Sequence, residues 1–235
     1  MTRRLDFHIL PQPDGSTCGP TCLQSLYRFY GEELELAQIV RQIPQLDDGG
    51  VLAVQLACHA LRRGYQAQIY TYNLQMFDPT WFREPRADLR AKLEAQARAK
   101  TKRKLSFATD AYLEFLDLGG QVDMHDLTPT FLAALLEKGA PVLTGLSATW
   151  LYRGPREIGA EPQDDDVRGV PQGHFVVLFG WEEKLRHVFV ADPLRPNPFS
   201  KEPVYSVDVE RLVAAVLLGI LTYDANLLLV KPGEA

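Results

Sequence analysis

Hydrophobic residues recur with a helical period along the first part of the chain. Between Cys18 and Tyr30, apolar side chains stand at i, i+3, i+4 and i+7, which predicts an amphipathic helix. The same spacing predicts two further helices that begin near Leu36 and Val51. Later segments with helical character are residues 109–118, 128–138 and 212–221.

Apolar runs rich in β-branched and aromatic residues predict strands, most of them in the second half of the chain. These runs are residues 65–72, 121–127, 141–147, 174–181, 187–191, a short segment near Val204 and residues 226–231. The runs 174–181 and 187–191 are separated by a short polar stretch, as in a β-hairpin, whereas the Gly-, Pro- and Asp-rich residues 153–173 predict a long loop. Helices followed by strands predict an α+β fold, with N-terminal helices packed on a C-terminal antiparallel sheet.

The length and composition indicate one globular domain. With 235 residues, 46% hydrophobic and 23% charged, the chain can bury a sizeable core, and we expect a single domain over residues 1–235. Residues 83–104 differ from the rest because Arg, Lys, Glu and Ala dominate there. That segment is predicted to be a charged helical insertion with a solvated surface.

Charge and apolar run lengths restrict the partners and the compartment. The net charge of −5 lacks the basic excess of a nucleic-acid binder, so no nucleic-acid partner is expected. The longest apolar run, residues 212–221, is shorter than the roughly 17–25 residues that span a bilayer. No signal-length apolar stretch follows the basic N-terminus. We therefore expect a cytoplasmic protein without a membrane span, and its oligomeric state is left open.

One of the three cysteines stands where a nucleophile is expected. Cys18 follows a loop of turn residues and opens the first predicted helix. A helix N-terminus carries partial positive charge, which favours a thiolate over a thiol. Gly19 is expected to keep the backbone clear for an approaching substrate. Cys22, one helical turn further on, is predicted to be a core residue.

A base and its orienting group are predicted at one end of the hairpin. His174 precedes the first strand of that hairpin and Asp192 ends the second, so antiparallel pairing brings the two side chains together. Such a pair can activate a cysteine, with the carboxylate holding the imidazole in place. Gln12 could donate its side-chain N–H to an oxyanion, and the backbone N–H of Cys18 would be the second donor.

The pattern Gln-x5-Cys-Gly, a distant His-Phe-Val-Val and then Asp-Pro resembles the C39 peptidases. These are papain-like cysteine peptidases that remove double-glycine leader peptides, and the chain is most similar to their stand-alone forms. The resemblance covers residues 6–31 and 172–193. It implies a papain-like fold, a peptide or protein substrate and no cofactor. It also implies that Gln12 stabilises the oxyanion, Cys18 attacks, His174 acts as base and Asp192 orients it.

Several alternatives stay open at this point. The same residues would serve an acyl transferase, and a non-catalytic module that binds peptides in the former cleft is also possible. Family peptidases usually precede an ABC exporter, and no exporter sequence is recognised here, which leaves Gly-Gly specificity open. Cys18, Cys22 and the adjacent Cys58-His59 contain zinc-ligand residue types, although their spacing is not that of a zinc site. His59 is otherwise predicted to be a packing or surface residue.

Overall fold

The computed structural model of the protein describes residues 2–46, 49–159, 163–184 and 186–233. Residues 160–162 of the predicted long loop and Leu185 of the predicted hairpin connection lie outside these ranges. The helices are α1 (Cys18–Phe29), α2 (Leu36–Gln42), α3 (Ala53–Arg62), α4 (Leu89–Ala99), α5 (Arg103–Asp117), α6 (Pro129–Glu137), α7 (Ala148–Tyr152) and α8 (Val209–Leu218). Short 3₁₀ turns cover Pro79–Phe82 and Gly219–Thr222.

Helix starts are fixed by local chemistry at several places. The Thr128 side chain accepts a hydrogen bond from the Phe131 N–H at the start of α6, and Pro129 occupies the first turn. Asp208 caps α8 in the same way through the backbone N–H groups of Glu210 and Arg211. The predicted helix at 109–118 is wrong at its start, because α5 begins at Arg103.

The strands are β1 (Thr2–Arg4), β2 (Tyr65–Thr71), β3 (Gln121–Asp123), β4 (Val142–Ser147), β5 (Glu157–Ile158), β6 (Gln163–Asp164), β7 (Gly173–Glu182), β8 (His187–Ala191), β9 (Val204–Asp208) and β10 (Asn226–Pro232). In the described residues they form an eight-stranded sheet of order β3-β2-β10-β4-β7-β8-β9, with β1 beside β7, and a small β5–β6 hairpin. Only β2 and β3 pair in parallel within these ranges. The predicted hairpin of β7 and β8 is confirmed by their antiparallel pairing.

The large sheet has a hydrophobic core on each face. Along β7, Val177 and Phe179 join the core formed with α1 and α3, whereas Val176 and Leu178 join the core formed with α8. This alternation follows from the period of two in a strand. The predicted α+β class is confirmed, although β1 and β2 come from the first half of the chain and α6 and α8 from the second.

The charged segment 83–104 comprises α4 and the beginning of α5. Asp88 caps α4, and Arg90 on its surface pairs with Glu94 and Asp117. The opposite side is not solvated, because Leu93 is fully buried against the core. The segment is therefore packed onto the fold, while the single domain over residues 1–235 stays a prediction.

Hydropathy along the helices bears on the predicted lack of a membrane span. Among the residues that the structure describes, no helix is both long and apolar enough to cross a bilayer.

Candidate active site

Cys18 is presented at the start of α1 by an ordered loop. The Asp14 carboxylate accepts hydrogen bonds from the Ser16 N–H and hydroxyl, and the Asp14 carbonyl accepts one from the Gln12 side chain. Thr17 precedes the helix without a side-chain cap in the described part of the chain. The first N–H groups of α1 therefore lie beside Cys18, whose side chain is half-buried.

Gly19 has a different role from the one that the sequence suggested. A Cβ at this position would meet Val51 Cγ2 at 2.8 Å, Phe175 Cδ2 at 3.1 Å and Leu56 Cδ1 at 3.2 Å. Because Gly19 has no side chain, these core residues can pack against its backbone, and Gly19 is itself buried. The expectation that it leaves room for a substrate is wrong, because this side of α1 faces the protein interior.

His174 and Asp192 meet at the end of the β7–β8 hairpin. His174 Nε2 lies 2.8 Å from Asp192 Oδ1, and only 7% of the histidine and none of the aspartate is exposed. Because Nε2 contacts the carboxylate, Nδ1 is the ring nitrogen left for Cys18. Cys18 is one of the groups that act on the pKa of the same imidazole, so its thiol lies beside the ring. The structure thus brings Cys18, His174 and Asp192 together, in that order.

The charges of this group are set by its own contacts. Burial lowers the pKa of His174, but hydrogen bonds to Asp192 and Cys18 outweigh burial and raise the pKa to about 10. Burial raises the pKa of Asp192, but the hydrogen bonds from His174, Tyr152 and the Leu194 N–H prevail, and the pKa lies below its usual value. An imidazolium held by a carboxylate is therefore the favoured state at neutral pH.

Two tyrosines that were not predicted as site residues contact Asp192. The Tyr152 hydroxyl donates to Asp192 Oδ2 at 2.5 Å and the Tyr205 hydroxyl donates to the same oxygen at 2.8 Å. Tyr152 ends α7 and Tyr205 lies on β9, next to β8. Neither residue belongs to a motif, so only the three-dimensional fold identifies them.

Gln12 lies beside this group without a described contact to Cys18. Its backbone N–H donates to the Pro193 carbonyl at 2.9 Å, directly after Asp192. Its side-chain Nε2 donates to the Asp14 carbonyl at 2.8 Å. Its buried Oε1 has no hydrogen-bond partner in the ranges that the structure covers. The predicted contact of Gln12 with an oxyanion stays a prediction.

The remaining cysteines are core residues and the zinc hypothesis is not supported. Cys22 is fully buried, its thiol donates to the Phe175 carbonyl, and burial raises its pKa. Burial raises the pKa of Cys58 to about 12. His59 is hydrogen-bonded through Nδ1 to the Tyr27 hydroxyl and through Nε2 to the Gln42 side chain, and it is therefore a packing residue. Across the described ranges, no three His, Cys, Asp or Glu side chains are placed to hold a metal.

Comparisons with known proteins give matches to solved structures along most of the chain. No curated protein matches the chain. A C39-like peptidase from Bacillus anthracis, as that structure is described, is 14% identical over 100% of both chains, with a TM-score of 0.54. Xylellain, a cysteine protease from Xylella fastidiosa, is 14% identical over 99% of this chain and 86% of its own, with a TM-score of 0.48. A double glycine motif protease from an AMS/PCAT transporter, solved in complex with the leader peptide, is 14% identical over 97% of this chain and 94% of its own, with a TM-score of 0.48.

The match to a family model covers far more than half of the chain. The model of the Peptidase_C39 like family matches residues 4–212, which include Gln12, Cys18, His174 and Asp192. The similarity to the Bacillus anthracis structure confirms the predicted papain-like fold. The family and the fold support a cysteine peptidase, and the chain belongs to the C39-like peptidase family.

Proposed function

We propose that this protein is a cysteine peptidase that cleaves peptide bonds with Cys18 as nucleophile, His174 as base and Asp192 as its orienting carboxylate. The observation that carries the proposal is the buried His174–Asp192 pair, with Cys18 as the second partner of the imidazole at the start of α1. A positively charged imidazole and a helix N-terminus both favour the thiolate. Stability alone does not require such a pair, because well-packed apolar residues often stabilise a buried site as well as an ion pair does.

The proposed reaction follows from these positions. The Cys18 sulfur forms a bond to the substrate carbonyl carbon, and the carbonyl oxygen becomes an oxyanion. The Cys18 N–H and the second Gln12 amide hydrogen stabilise that oxyanion. The His174 imidazolium gives its proton to the leaving nitrogen as the C–N bond breaks. Water then attacks the thioester carbonyl carbon and gives a proton to His174; the C–S bond breaks, the acid is released, and the Cys18 thiolate stands again beside the His174 imidazolium.

The substrate is proposed only to the level of a peptide or protein. Gly-Gly sites of leader peptides are the first sequences to test, because the stretches 6–31 and 172–193 resemble the peptidases that use them. Transfer of the acyl group to an amine would use the same thioester, and a peptide-binding module would use the same cleft. No observation in the structure favours either alternative over hydrolysis.

The first experiment is the pH dependence of iodoacetamide alkylation, mapped by mass spectrometry to each cysteine. In the wild type, Cys18 is expected to react at about pH 6 at least tenfold faster than a free thiol, which is only a few per cent ionised even at pH 7. Buried Cys22 and Cys58 serve as internal references and should stay unmodified in the folded protein. In His174→Ala the fast reaction of Cys18 should be lost.

A cleavage assay then separates the three functions. Incubation with Gly-Gly peptides should give hydrolysis in the wild type and none in Cys18→Ala. Product linked to an added amine would identify a transferase, and binding without either product would identify a binding module. If Cys18 reacts no faster than a free thiol, or is unaffected by His174→Ala, the catalytic assignment is wrong.

A further inference from the structure

We propose that Tyr152 and Tyr205 are positioning residues, which act on the reaction through Asp192 by holding its carboxylate in the orientation that His174 requires. The proposal rests on the proposed function and adds two residues to its machinery. Both hydroxyls donate to Asp192, the orienting carboxylate, so both act at one remove from the reacting atoms.

The two hydroxyls complete the hydrogen bonding of a fully buried carboxylate. Asp192 Oδ1 accepts from His174 Nε2 at 2.8 Å and from the Leu194 N–H at 2.9 Å. Its Oδ2 accepts from Tyr152 at 2.5 Å and from Tyr205 at 2.8 Å. Without the tyrosines, Oδ2 would have no donor among the described residues, and an unpartnered buried charged oxygen is costly.

The tyrosine rings are themselves fixed by packing. The Phe199 ring lies 5.6 Å from that of Tyr152 and 4.8 Å from that of Tyr205, and the Tyr152 ring lies 6.1 Å from that of His174. Each hydroxyl is thus held by a different element, one at the end of α7 and the other on β9. Two rigid donors from different directions leave the carboxylate little freedom to rotate.

The orientation of the carboxylate decides the orientation of the base. The bond from Nε2–H to Oδ1 fixes the tautomer in which the lone pair of neutral His174 is on Nδ1, where it can take a proton. If Oδ2 loses its donors, the carboxylate can turn toward a remaining donor or take up a proton, and the bond to His174 loosens. The imidazolium is then less stable, and so is the thiolate that pairs with it.

The test uses the variants Tyr152→Phe and Tyr205→Phe, singly and together. They remove one oxygen each and keep the rings that pack on Phe199. Each is expected to slow Cys18 alkylation at about pH 6 by about three- to tenfold, the scale of one lost hydrogen bond. Tyr30→Phe is the matched control, because the Tyr30 hydroxyl donates to the Val230 carbonyl instead.

A double-mutant cycle separates positioning from general destabilisation. Asp192→Ala alone should slow alkylation more than either tyrosine variant. In the Asp192→Ala background, the two tyrosine substitutions should slow it no further, because the oxygen that accepts from both hydroxyls is gone. A tyrosine that only supports the fold would cost the same rate in both backgrounds.

The pKa of His174, measured by NMR and assigned with His174→Ala, provides a readout that needs no reactive cysteine. It should fall in both tyrosine variants, in the same direction as in Asp192→Ala but by less. An unchanged or higher His174 pKa, an equal rate loss in the Asp192→Ala background, or an equal loss in Tyr30→Phe would overturn the proposal. If wild-type Cys18 is unreactive while the NMR shifts are seen, the proposed function fails and the positioning of His174 stands.

Discussion

At the scale of single residues, one buried acid stands apart from the candidate active site. Asp224 accepts a hydrogen bond from the Ala53 N–H at 3.1 Å, at the start of α3. It lies so close to β4 that a Cβ on Gly145 would be 2.8 Å from its side chain. Burial raises the pKa of Asp224 to about 7, although the Ala53 N–H and Lys104 act in the opposite direction. Its negative charge therefore costs stability at neutral pH.

Asp224→Asn is predicted to stabilise the protein at pH 8 and not at pH 4. The unfolded chain releases this proton near pH 4 and the folded chain near pH 7, so rising pH lowers wild-type stability between these values. Asparagine cannot ionise and keeps an oxygen for the Ala53 N–H. The expected gain above pH 7 is about 1–4 kcal/mol, measured by urea unfolding across this pH range.

The exposed Asp6 provides the control for this measurement. Asp6→Asn should change the stability little and without the same pH dependence, since its carboxylate is solvated in both states. If wild type and Asp224→Asn lose stability in parallel from pH 4 to pH 8, the folded carboxylate ionises normally and the argument from burial is wrong.

Gly19→Ala is predicted to destabilise the protein although alanine is the better helix former. The added methyl group would lie 2.8 Å from Val51 and 3.1 Å from Phe175, next to His174. Overpacking of this kind costs about 1–3 kcal/mol, more than the gain of up to about 1 kcal/mol in helix propensity. Thermal unfolding measures the loss, and Cys18 alkylation should slow because β7 must shift.

Gly15→Ala, in the loop before Cys18, is the matched comparison. A Cβ on Gly15 would meet no described atom within 4 Å, so the substitution should be close to neutral. Equal effects of the two substitutions would show that the packing around Gly19 does not decide its identity.

At the scale of elements, the segment 83–104 shows how a charged sequence can still contribute to the core. Leu93 on α4 is fully buried and belongs to the same hydrophobic cluster as Leu105 and Tyr112 of α5. Most neighbouring side chains are charged or small, so the one buried position is not visible as a periodic pattern.

Leu93→Ala is predicted to destabilise the whole protein by about 2–4 kcal/mol, as for other buried leucines. Leu74→Ala is the control, because Leu74 is 61% exposed and should cost less than about 0.5 kcal/mol. Urea unfolding measures both. If Leu93→Ala leaves stability unchanged, α4 contributes little to the core, as expected of a charged insertion with a solvated surface.

The elements that the sequence predicted are those with a repeated local pattern. The helix at Cys18 has a clear helical period, and the hairpin of β7 and β8 appears as two apolar runs joined by a polar stretch. Cys18, His174 and Asp192 lie in these two elements or directly after them. The strand β1, which pairs with β7, was missed because its three residues are polar and exposed and show no apolar pattern. The five-residue helix α7 was missed because so short an element shows no period.

The lack of a local sequence pattern also explains which site residues the sequence could not identify. Cys18, His174 and Asp192 stand at element ends, where spacing and turn chemistry mark them. Tyr152 and Tyr205 act only because α7 and β9 converge on Asp192, and convergence is not encoded in any local pattern. The start of α5 was placed too late because its first turn is basic and resembles the preceding charged segment.

At the scale of the whole molecule, β7 connects the two cores to the candidate active site. Its residues alternate between the hydrophobic cluster on the α1 side and the one on the α8 side, and His174 is its second residue. The strand also pairs with β1, β4 and β8. Loss of either core should therefore remove support from the other, which predicts one cooperative unfolding unit.

Val176→Ala and Val177→Ala test this coupling because the two side chains lie on opposite faces of β7. Each should cost about 1–3 kcal/mol. Fluorescence of Trp181, in a Trp81→Phe, Trp150→Phe background, reports the α8 side, and pulse alkylation of Cys58 reports the α1 side. The two probes should give the same urea midpoint in each variant. If Cys58 stays protected in Val176→Ala after Trp181 has become exposed, the two faces unfold separately and the chain is not a single cooperative domain.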